Sequence, residues 1–163
     1  MPANPNDTTI ARIEAWRPEY RADFERLNRE WIEQYFVVEE EDQRVFRDPE
    51  GIVIGPGGQI FFVVDEEGVR GTCAVIRHDA ETWELAKMAV APSARGRGYG
   101  DRLVEAAIAF ARGTPAKRLI LLSNTRLSPA LALYRKHGFQ DVPLDPATGY
   151  SRADIQLELP LAP

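Results

Sequence analysis

Residues that build disulfide-bonded or metal-held scaffolds are scarce in this chain. The sequence of 163 residues contains one cysteine, Cys73, and two histidines, His78 and His137. A single thiol excludes an internal disulfide bond and a cysteine-rich zinc site, and two histidines far apart in sequence do not indicate a metal site. We therefore expect no bound metal. Because Cys73 lies in an apolar segment, we expect it to be a buried and unreactive thiol.

Long hydrophobic runs and an excess of positive charge are also lacking. No apolar run is long enough to cross a bilayer, and the first residues lack the basic and apolar regions of a signal peptide. The 20 Lys and Arg residues are outnumbered by 25 Asp and Glu residues, which gives a formal net charge of −5. Such a chain has no general electrostatic attraction for nucleic acid or anionic membranes. We expect a cytoplasmic protein that has neither as a partner.

Length and composition are typical of one soluble globular domain. Hydrophobic residues make up 44% of the chain and charged residues 28%, values that are ordinary for a protein with a buried core. Residues 1–7 are polar and contain proline, so we expect a flexible N-terminus followed by a single domain over residues 8–163.

Hydrophobic periodicity predicts an α/β order of strands and helices. Strands are expected at 8–16, 59–65, 69–78, 82–90, 118–124, 139–144 and 150–159. Helices are expected over 20–35, from 39 up to Pro49, over 101–112 and over 130–137. The helix between strands 82–90 and 118–124 predicts a right-handed crossover that leaves these two strands parallel.

The most informative stretch is residues 84–112, which is typical of an apolar strand, a glycine-rich turn and an amphipathic helix. The strand stops at Pro92, and three glycines then alternate with Arg97 and Tyr99 before apolar residues recur at helical spacing. In such a turn the unpaired N–H groups of the helix start face one spot, and glycines let a bulky anion approach the backbone. The turn therefore predicts an anion site.

The spacing in this turn discriminates between known phosphate-binding loops. The dinucleotide pattern G-x-G-x-x-G fails because Asp101 or Leu103 stands where the third glycine belongs, and no Gly-Lys-Ser or Gly-Lys-Thr follows as in a P-loop. Arg95-x-x-Gly98-x-Gly100 resembles the [Gln/Arg]-x-x-Gly-x-[Gly/Ala] loop of the GNAT superfamily of acyl-CoA-dependent N-acyltransferases. In that family the loop amides hold the coenzyme A pyrophosphate. A glycine-rich connection without a ligand is the alternative.

A second segment supports the resemblance. Residues 124–139 are similar to the family pattern Asn-x(5)-Ala-x-x-Leu-Tyr-x-x-x-Gly-Phe. The resemblance implies the GNAT fold, a mixed central sheet of about seven strands with splayed parallel strands 4 and 5 and about four flanking helices. It implies acetyl-CoA as co-substrate and acetyl transfer to a primary amine by direct attack in a ternary complex. The acceptor partner would be a small-molecule or peptide amine, and a homodimer is allowed. A non-catalytic acyl-CoA-binding module and another nucleotide-phosphate binder are the alternatives.

The resemblance also assigns the coenzyme-binding residues. They are Met88, Ala89, Val90, Arg95, Gly96, Arg97, Gly98, Tyr99, Gly100 and Asn124. Backbone groups of 88–90, where similar enzymes have a bulge, would bond the pantetheine amides, and the N–H of Met88 or Val90 would polarise the thioester carbonyl. Asn124 has both a donor and an acceptor for another pantetheine amide, and a turn-forming asparagine is the equal alternative.

Two residues are expected to move protons. Tyr134 is the candidate general acid, because a phenol of pKa ~10 can donate to a leaving thiolate of pKa ~8.5. A core aromatic residue is the alternative. An alkylamine of pKa ~10.4 must be neutral to attack, so a base is needed. The resemblance makes Glu84 the candidate base, because it stands four residues before Met88 on the same strand, where some GNAT enzymes place a base that acts through water. A surface acid on a strand is the alternative.

The sequence says least about the residues that bind the acceptor substrate. Trp31, Tyr35 and Phe36, followed by the acids 39–42, occupy the region that walls the acceptor site in similar enzymes. An aromatic and acidic wall suits a cationic amine, and Trp31 and Tyr35 are therefore candidate substrate contacts. A core face followed by a solvated helix start explains the same residues.

Overall fold

The computed structural model describes residues 11–147 and 151–161. The predicted flexible segment 1–7, the start of the predicted strand 8–16 and Tyr150, which begins the predicted strand 150–159, lie outside the described residues.

Seven strands and four α-helices lie in the described part of the chain. The strands are β1 (Arg12–Ala15), β2 (Gln59–Asp65), β3 (Gly68–Arg77), β4 (Thr82–Val90), β5 (Arg118–Ser123), β6 (Gln140–Val142) and β7 (Ile155–Pro160). The helices are α1 (Arg21–Tyr35), α2 (Glu40–Arg47), α3 (Tyr99–Arg112) and α4 (Ser128–Lys136). A π-helical turn at Glu50–Ile54, which the sequence did not predict, follows α2.

The strands form one mixed sheet in the order β1-β2-β3-β4-β5-β7-β6. β1 to β4 are an antiparallel meander, and β4 runs parallel to β5. The parallel pairing extends only from Thr82 opposite Arg118 to Glu84 opposite Ile120. Beyond this point β5 continues to pair with β7, so β4 and β5 diverge. The predicted splayed pair of strands is confirmed.

Helices cover both faces of this sheet because each has one apolar stripe. α3 buries Leu103, Val104 and Ala107 in a core that also contains Trp83 and Leu119. On the opposite face, α1 and α2 supply a second core, whose buried members include Phe24, Ile32, Val45 and Phe46. β4 lies between the two layers: Trp83 and Leu85 belong to the first core, and Lys87 lies 5.8 Å from the ring centroid of Phe46 in the second.

β4 has a bulge, as the resemblance implied. Ala86 pairs with Ala74 and Ala89 pairs with Thr72, so Lys87 and Met88 lie opposite a single residue of β3. Lys87 has a φ of +54°, and it is the one non-glycine residue with positive φ in the described chain. That conformation costs an L-residue about 1–2 kcal/mol. Contacts of the Lys87 side chain must offset this cost.

Candidate active site

A cavity of about 560 Å³ lies where β4 and β5 diverge. One side of the cavity is formed by β4 from Glu84 onward and by the loop before α3. The other residues that line it belong to the segment from the end of β5 into α4, to the C-terminal end of α1, and to Arg152 with Ala153. Because β5 pairs with β7 along this length, the edge of β4 that faces the cavity has no neighbouring strand. A free strand edge can bond an extended chain of amides.

The glycine-rich loop forms one end of the cavity. Gly96 and Gly98 have φ of +82° and +80°, and a Cβ built on either would have no atom within 4 Å. Among the described residues, none accepts a hydrogen bond from the N–H of Gly96, Arg97 or Gly98. The first N–H groups of α3 follow directly and lack intrahelical acceptors. The loop is therefore an open cradle of donors that fits a phosphate group.

The two arginines of this loop have different surroundings. Arg95 lines the cavity and has no ion-pair partner in the described part of the chain. Arg97 instead approaches Asp65 to 3.5 Å and Glu67 to 3.8 Å. The Tyr99 hydroxyl donates to Asp65 at 2.7 Å and so ties the loop to β2. Nine of the ten predicted coenzyme residues line the cavity, and Arg97 does not.

The acid in the first turn of α3 is neutralised by α4. Asp101 lies 2.6 Å from Lys136 and 2.8 Å from His137. Hydrogen bonds from Lys136 and His137 lower the pKa of Asp101. Its charge therefore has Lys136 as a cationic partner and does not oppose an anion at the loop.

Asn124 connects two segments of the cavity wall. Its Nδ2 donates to the carbonyl oxygen of Arg152, and its Oδ1 accepts from the N–H of Arg126, both at 2.8 Å. These are the contacts of a turn-forming asparagine. One N–H and one lone pair of the amide are still available, so its pantetheine contact stays a prediction.

Tyr134 lies at the boundary between the core and the cavity. The residue is 8% exposed, lines the cavity and packs edge-on against Phe139 at a centroid distance of 6.1 Å. In the described chain its hydroxyl has no hydrogen-bond partner. Burial raises the pKa of Tyr134, so the phenol keeps its proton at neutral pH.

Glu84 also lines the cavity, and it has a partner that the sequence did not indicate. The carboxylate is on a residue 7% exposed, and its Oε1 lies 2.6 Å from Nε2 of His78. The hydrogen bond with Glu84 raises the pKa of His78, against the opposing effect of burial. The His78 side chain is 47% exposed, so the pair connects the cavity to solvent. The register of the β3–β4 hairpin explains this pair: Ile76 lies opposite Glu84, and His78 follows two residues later.

A buried ionic cluster lies behind the bulge. Asp42 is fully buried and accepts from Lys87 Nζ at 2.6 Å and from both terminal nitrogens of Arg152 at 2.6 and 2.7 Å. Burial alone would raise the pKa of Asp42, but the Arg152 hydrogen bond and the Lys87 charge lower it to about 2. Burial lowers the pKa of Lys87 despite the attraction of Asp42. A lysine inside an apolar strand was the sequence signal for this cluster.

The acceptor end of the cavity is aromatic and basic. Trp31, Tyr35 and Phe36 line it, but none of the acids 39–42 does. Glu39 accepts from the N–H groups of Ser151 and Arg152, and the carboxylates of Glu40 and Glu41 pair with arginines of α2 on the surface. The acidic wall considered from the sequence is therefore wrong. The basic residues Lys87, Arg126 and Arg152 line the cavity instead, although the Lys87 side chain is only 3% exposed and turns toward Asp42.

Residues 11–147 and 151–161 contain neither a metal-binding cluster nor a membrane-spanning helix. There, no three His, Cys, Asp or Glu side chains are grouped to hold a metal ion, and no helix is long and apolar enough to cross a membrane. Cys73 is fully buried, its Sγ lies 3.6 Å from the carbonyl oxygen of Leu103, and burial raises its pKa.

Comparisons with known proteins agree with this architecture. The chain is 34% identical over 80 residues to a mycothiol acetyltransferase of Corynebacterium glutamicum, a match that covers 49% of this chain and 27% of that protein. The chain thus spans about a quarter of the length of that relative. A GNAT-family acetyltransferase from Staphylococcus aureus has the same fold, with a TM-score of 0.84, 17% identity and coverage of 93% and 99% of the two chains.

A second solved structure was determined with a ligand. It is a GNAT-superfamily phosphinothricin acetyltransferase from Sinorhizobium meliloti in complex with acetyl-CoA, with a TM-score of 0.74, 19% identity and coverage of 93% of this chain and 89% of that one. The family model described as the acetyltransferase (GNAT) domain matches residues 56–141, from before β2 to β6. This match covers more than half of the chain, which therefore belongs to the GNAT acetyltransferase family.

Proposed function

We propose that the protein transfers the acetyl group of acetyl-CoA to a primary amine, by direct attack in a ternary complex. The observation that carries the proposal is one continuous cavity with an anion cradle at one end and an aromatic wall at the other. Glu84 and Tyr134 line the same cavity. Donor, acceptor and proton-transfer groups can therefore meet in one space, which direct transfer requires.

The glycine-rich loop and β4 would bind acetyl-CoA. The pyrophosphate fits the N–H cradle at Gly96 to Gly98, with Arg95 as its counter-charge. The pantetheine amides fit the free edge of β4, and Asn124 lies at the other wall. The bulge re-aims the backbone at Met88, so that its N–H or that of Val90 can donate to the thioester oxygen as charge develops there.

Glu84 and Tyr134 would transfer the protons. The amine must lose a proton to attack, and Glu84 accepts it directly or through a water molecule. His78 lies 2.6 Å from that carboxylate and is half exposed, so it can pass the proton on to solvent. The protonated Tyr134 donates to the sulfur of the leaving thiolate, and the tyrosinate then regains a proton from water before the next turnover.

An acceptor screen tests this proposal. Purified protein is incubated with acetyl-CoA and a panel of primary amines, and free coenzyme thiol is measured over time. Thiol release that requires an amine, with one acetylated product per thiol, is the expected result. If the protein binds coenzyme but releases no thiol with any amine, it is a non-catalytic acyl-CoA-binding module and not a transferase.

A further inference from the structure

We infer that the acceptor amine also carries a carboxylate, and that Arg126 binds this carboxylate at the aromatic end of the cavity. This inference rests on the proposed function and narrows its acceptor from primary amines in general to amino-carboxylates.

The cavity has one arginine without an acid partner at each end. Arg95 at the glycine-rich loop has no carboxylate partner in the described chain, and neither has Arg126 at the opposite wall. The other basic residues of the acceptor end are compensated, because Lys87 and Arg152 both donate to Asp42. A ligand that fills the cavity therefore meets an uncompensated positive charge at both ends. Coenzyme phosphates satisfy one of these charges, and the exposed guanidinium of Arg126 is available to a second anion.

The Arg126 side chain is supported on the cavity wall. Its guanidinium lies 5.3 Å from the ring centroid of Phe36, and its terminal nitrogen donates a long hydrogen bond of 3.5 Å to the carbonyl oxygen of Tyr35. Stacking on an aromatic ring orients a guanidinium and leaves its edge donors available. A planar fork of donors matches a carboxylate, which it can bind in a bidentate manner.

Arg152 supplies a fixed neighbour to this arginine. Its side chain is 14% exposed, stacks over Trp31 at 5.8 Å and donates to Asp42. Asn124 holds the two segments together, because its side chain bonds both the N–H of Arg126 and the carbonyl of Arg152. A ligand carboxylate would therefore meet two arginines that are held in place. Of the described residues that line the cavity, two are acids, Glu84 and Asp101, and Asp101 is paired with Lys136, so Glu84 is available to the amine.

Three matched acceptors test the inference in the active protein. An aromatic α-amino acid, its primary amide and its decarboxylated amine are compared with acetyl-CoA at equal concentrations of neutral amine. The amino acid should have a kcat/KM at least about tenfold higher, the equivalent of one charge-assisted hydrogen bond. Equal values for all three acceptors would overturn the inference.

Arg126→Gln identifies the residue responsible. This variant should raise KM for the amino acid about tenfold or more and leave the amide unchanged. Arg112→Gln is the matched control, since Arg112 is an exposed arginine at the far end of α3 and outside the cavity lining. An Arg126→Gln variant that instead raises KM for acetyl-CoA would assign Arg126 to the coenzyme and overturn the inference.

Binding without turnover separates this inference from the proposed function. Calorimetric titration of the amino acid into the protein saturated with free CoA needs no acetyl transfer. Binding that Arg126→Gln abolishes, with no acetylation in the acceptor screen, would support the carboxylate site and reject the transferase. Acetylation that proceeds equally well with the amide would support the transferase and reject the carboxylate site.

Discussion

The imidazole of His78, directly after β3, lies 2.6 Å from the carboxylate of Glu84 on β4. One partner lines the cavity and is almost fully buried, and the other is half exposed. A carboxylate in this position can receive a proton inside the cavity and exchange it at the surface. The pair therefore gives the proposed base a route for its proton.

Glu84→Gln should lower kcat/KM at neutral pH by about 10²-fold or more, because Gln keeps the shape and removes the base. The rate should recover as pH rises toward the pKa of the amine, where the neutral form is abundant. pH–rate profiles on one identified acceptor make the comparison. Glu81→Gln is the control, since Glu81 is an exposed acid outside the lining. Parallel profiles for Glu84→Gln and the wild type would mean that Glu84 is not the base.

His78→Gln should destabilise the protein more at pH 6 than at pH 9. The Glu84 hydrogen bond raises the pKa of His78 above its usual 6.5, so the stabilisation is fully present below that value. It is lost as pH rises through the raised pKa of the folded state. The effect should be less than about 1 kcal/mol, because His78 is half exposed and screened. Urea unfolding at both pH values measures it, and an equal loss at both would contradict the charged pair.

Tyr134→Phe should lower kcat by about 10²–10⁴-fold while coenzyme affinity changes little, because the ring and its packing survive and the proton donor is lost. Pre-steady-state kinetics must first establish that chemistry limits turnover. Tyr20→Phe, outside the cavity lining, should leave kcat unchanged. If kcat of Tyr134→Phe matched the wild type, Tyr134 would be a core aromatic residue only.

Gly98→Ala should weaken acetyl-CoA binding while the protein still folds. The new methyl group would project into the open space of the anion cradle, and a positive φ costs an L-residue about 1–2 kcal/mol. Gly68→Ala is a matched control, since Gly68 also has positive φ and open space around its Cβ but lies outside the cavity lining. Both variants should lose similar stability, and calorimetry should find lower coenzyme affinity only for Gly98→Ala. Unchanged affinity would remove the pyrophosphate from this loop.

Asp42→Asn should destabilise the protein by about 3–5 kcal/mol, because it leaves Lys87 and Arg152 without their shared buried counter-ion. Glu40→Gln, which removes an exposed partner of Arg47 on the same helix, should cost no more than about 1 kcal/mol. Chemical denaturation of both variants measures the difference. A loss as small for Asp42→Asn as for Glu40→Gln would mean that the cluster contributes little to stability.

Features encoded by neighbouring residues were predictable from the sequence. The observed bounds of β2 and β4 equal the predicted ones, because β-branched and aromatic residues are bounded there by turn residues. Gly96 and Gly98 of the glycine-rich loop have positive φ, a conformation that glycine adopts without steric cost. The last strand was predicted from residue 150 but begins at Ile155, because the backbone of Ser151 and Arg152 bonds to Glu39 instead of to the sheet.

Pairings between distant residues were not predictable. Asp42 lies 45 residues before Lys87 and 110 before Arg152, and no local pattern links them. The bulge that directs Lys87 toward α2 breaks the alternation on which strand faces are assigned. The role proposed for Arg126 was not predicted, because it rests on the lack of an acid partner in the described fold. The sequence does not show which acids lie near an arginine in the fold.

The thiol of Cys73 can be distinguished from the thiol of coenzyme A by its reactivity. The Cys73 thiol lies under α3 with no exposure and a raised pKa, so a thiol-specific dye added to the native protein should react with any released coenzyme and not with Cys73. The same thiol becomes reactive when α3 lifts from the sheet. Because α3 begins at the loop proposed to hold the coenzyme phosphates, the labelling rates of Cys73 with and without acetyl-CoA measure whether bound coenzyme makes such opening rarer.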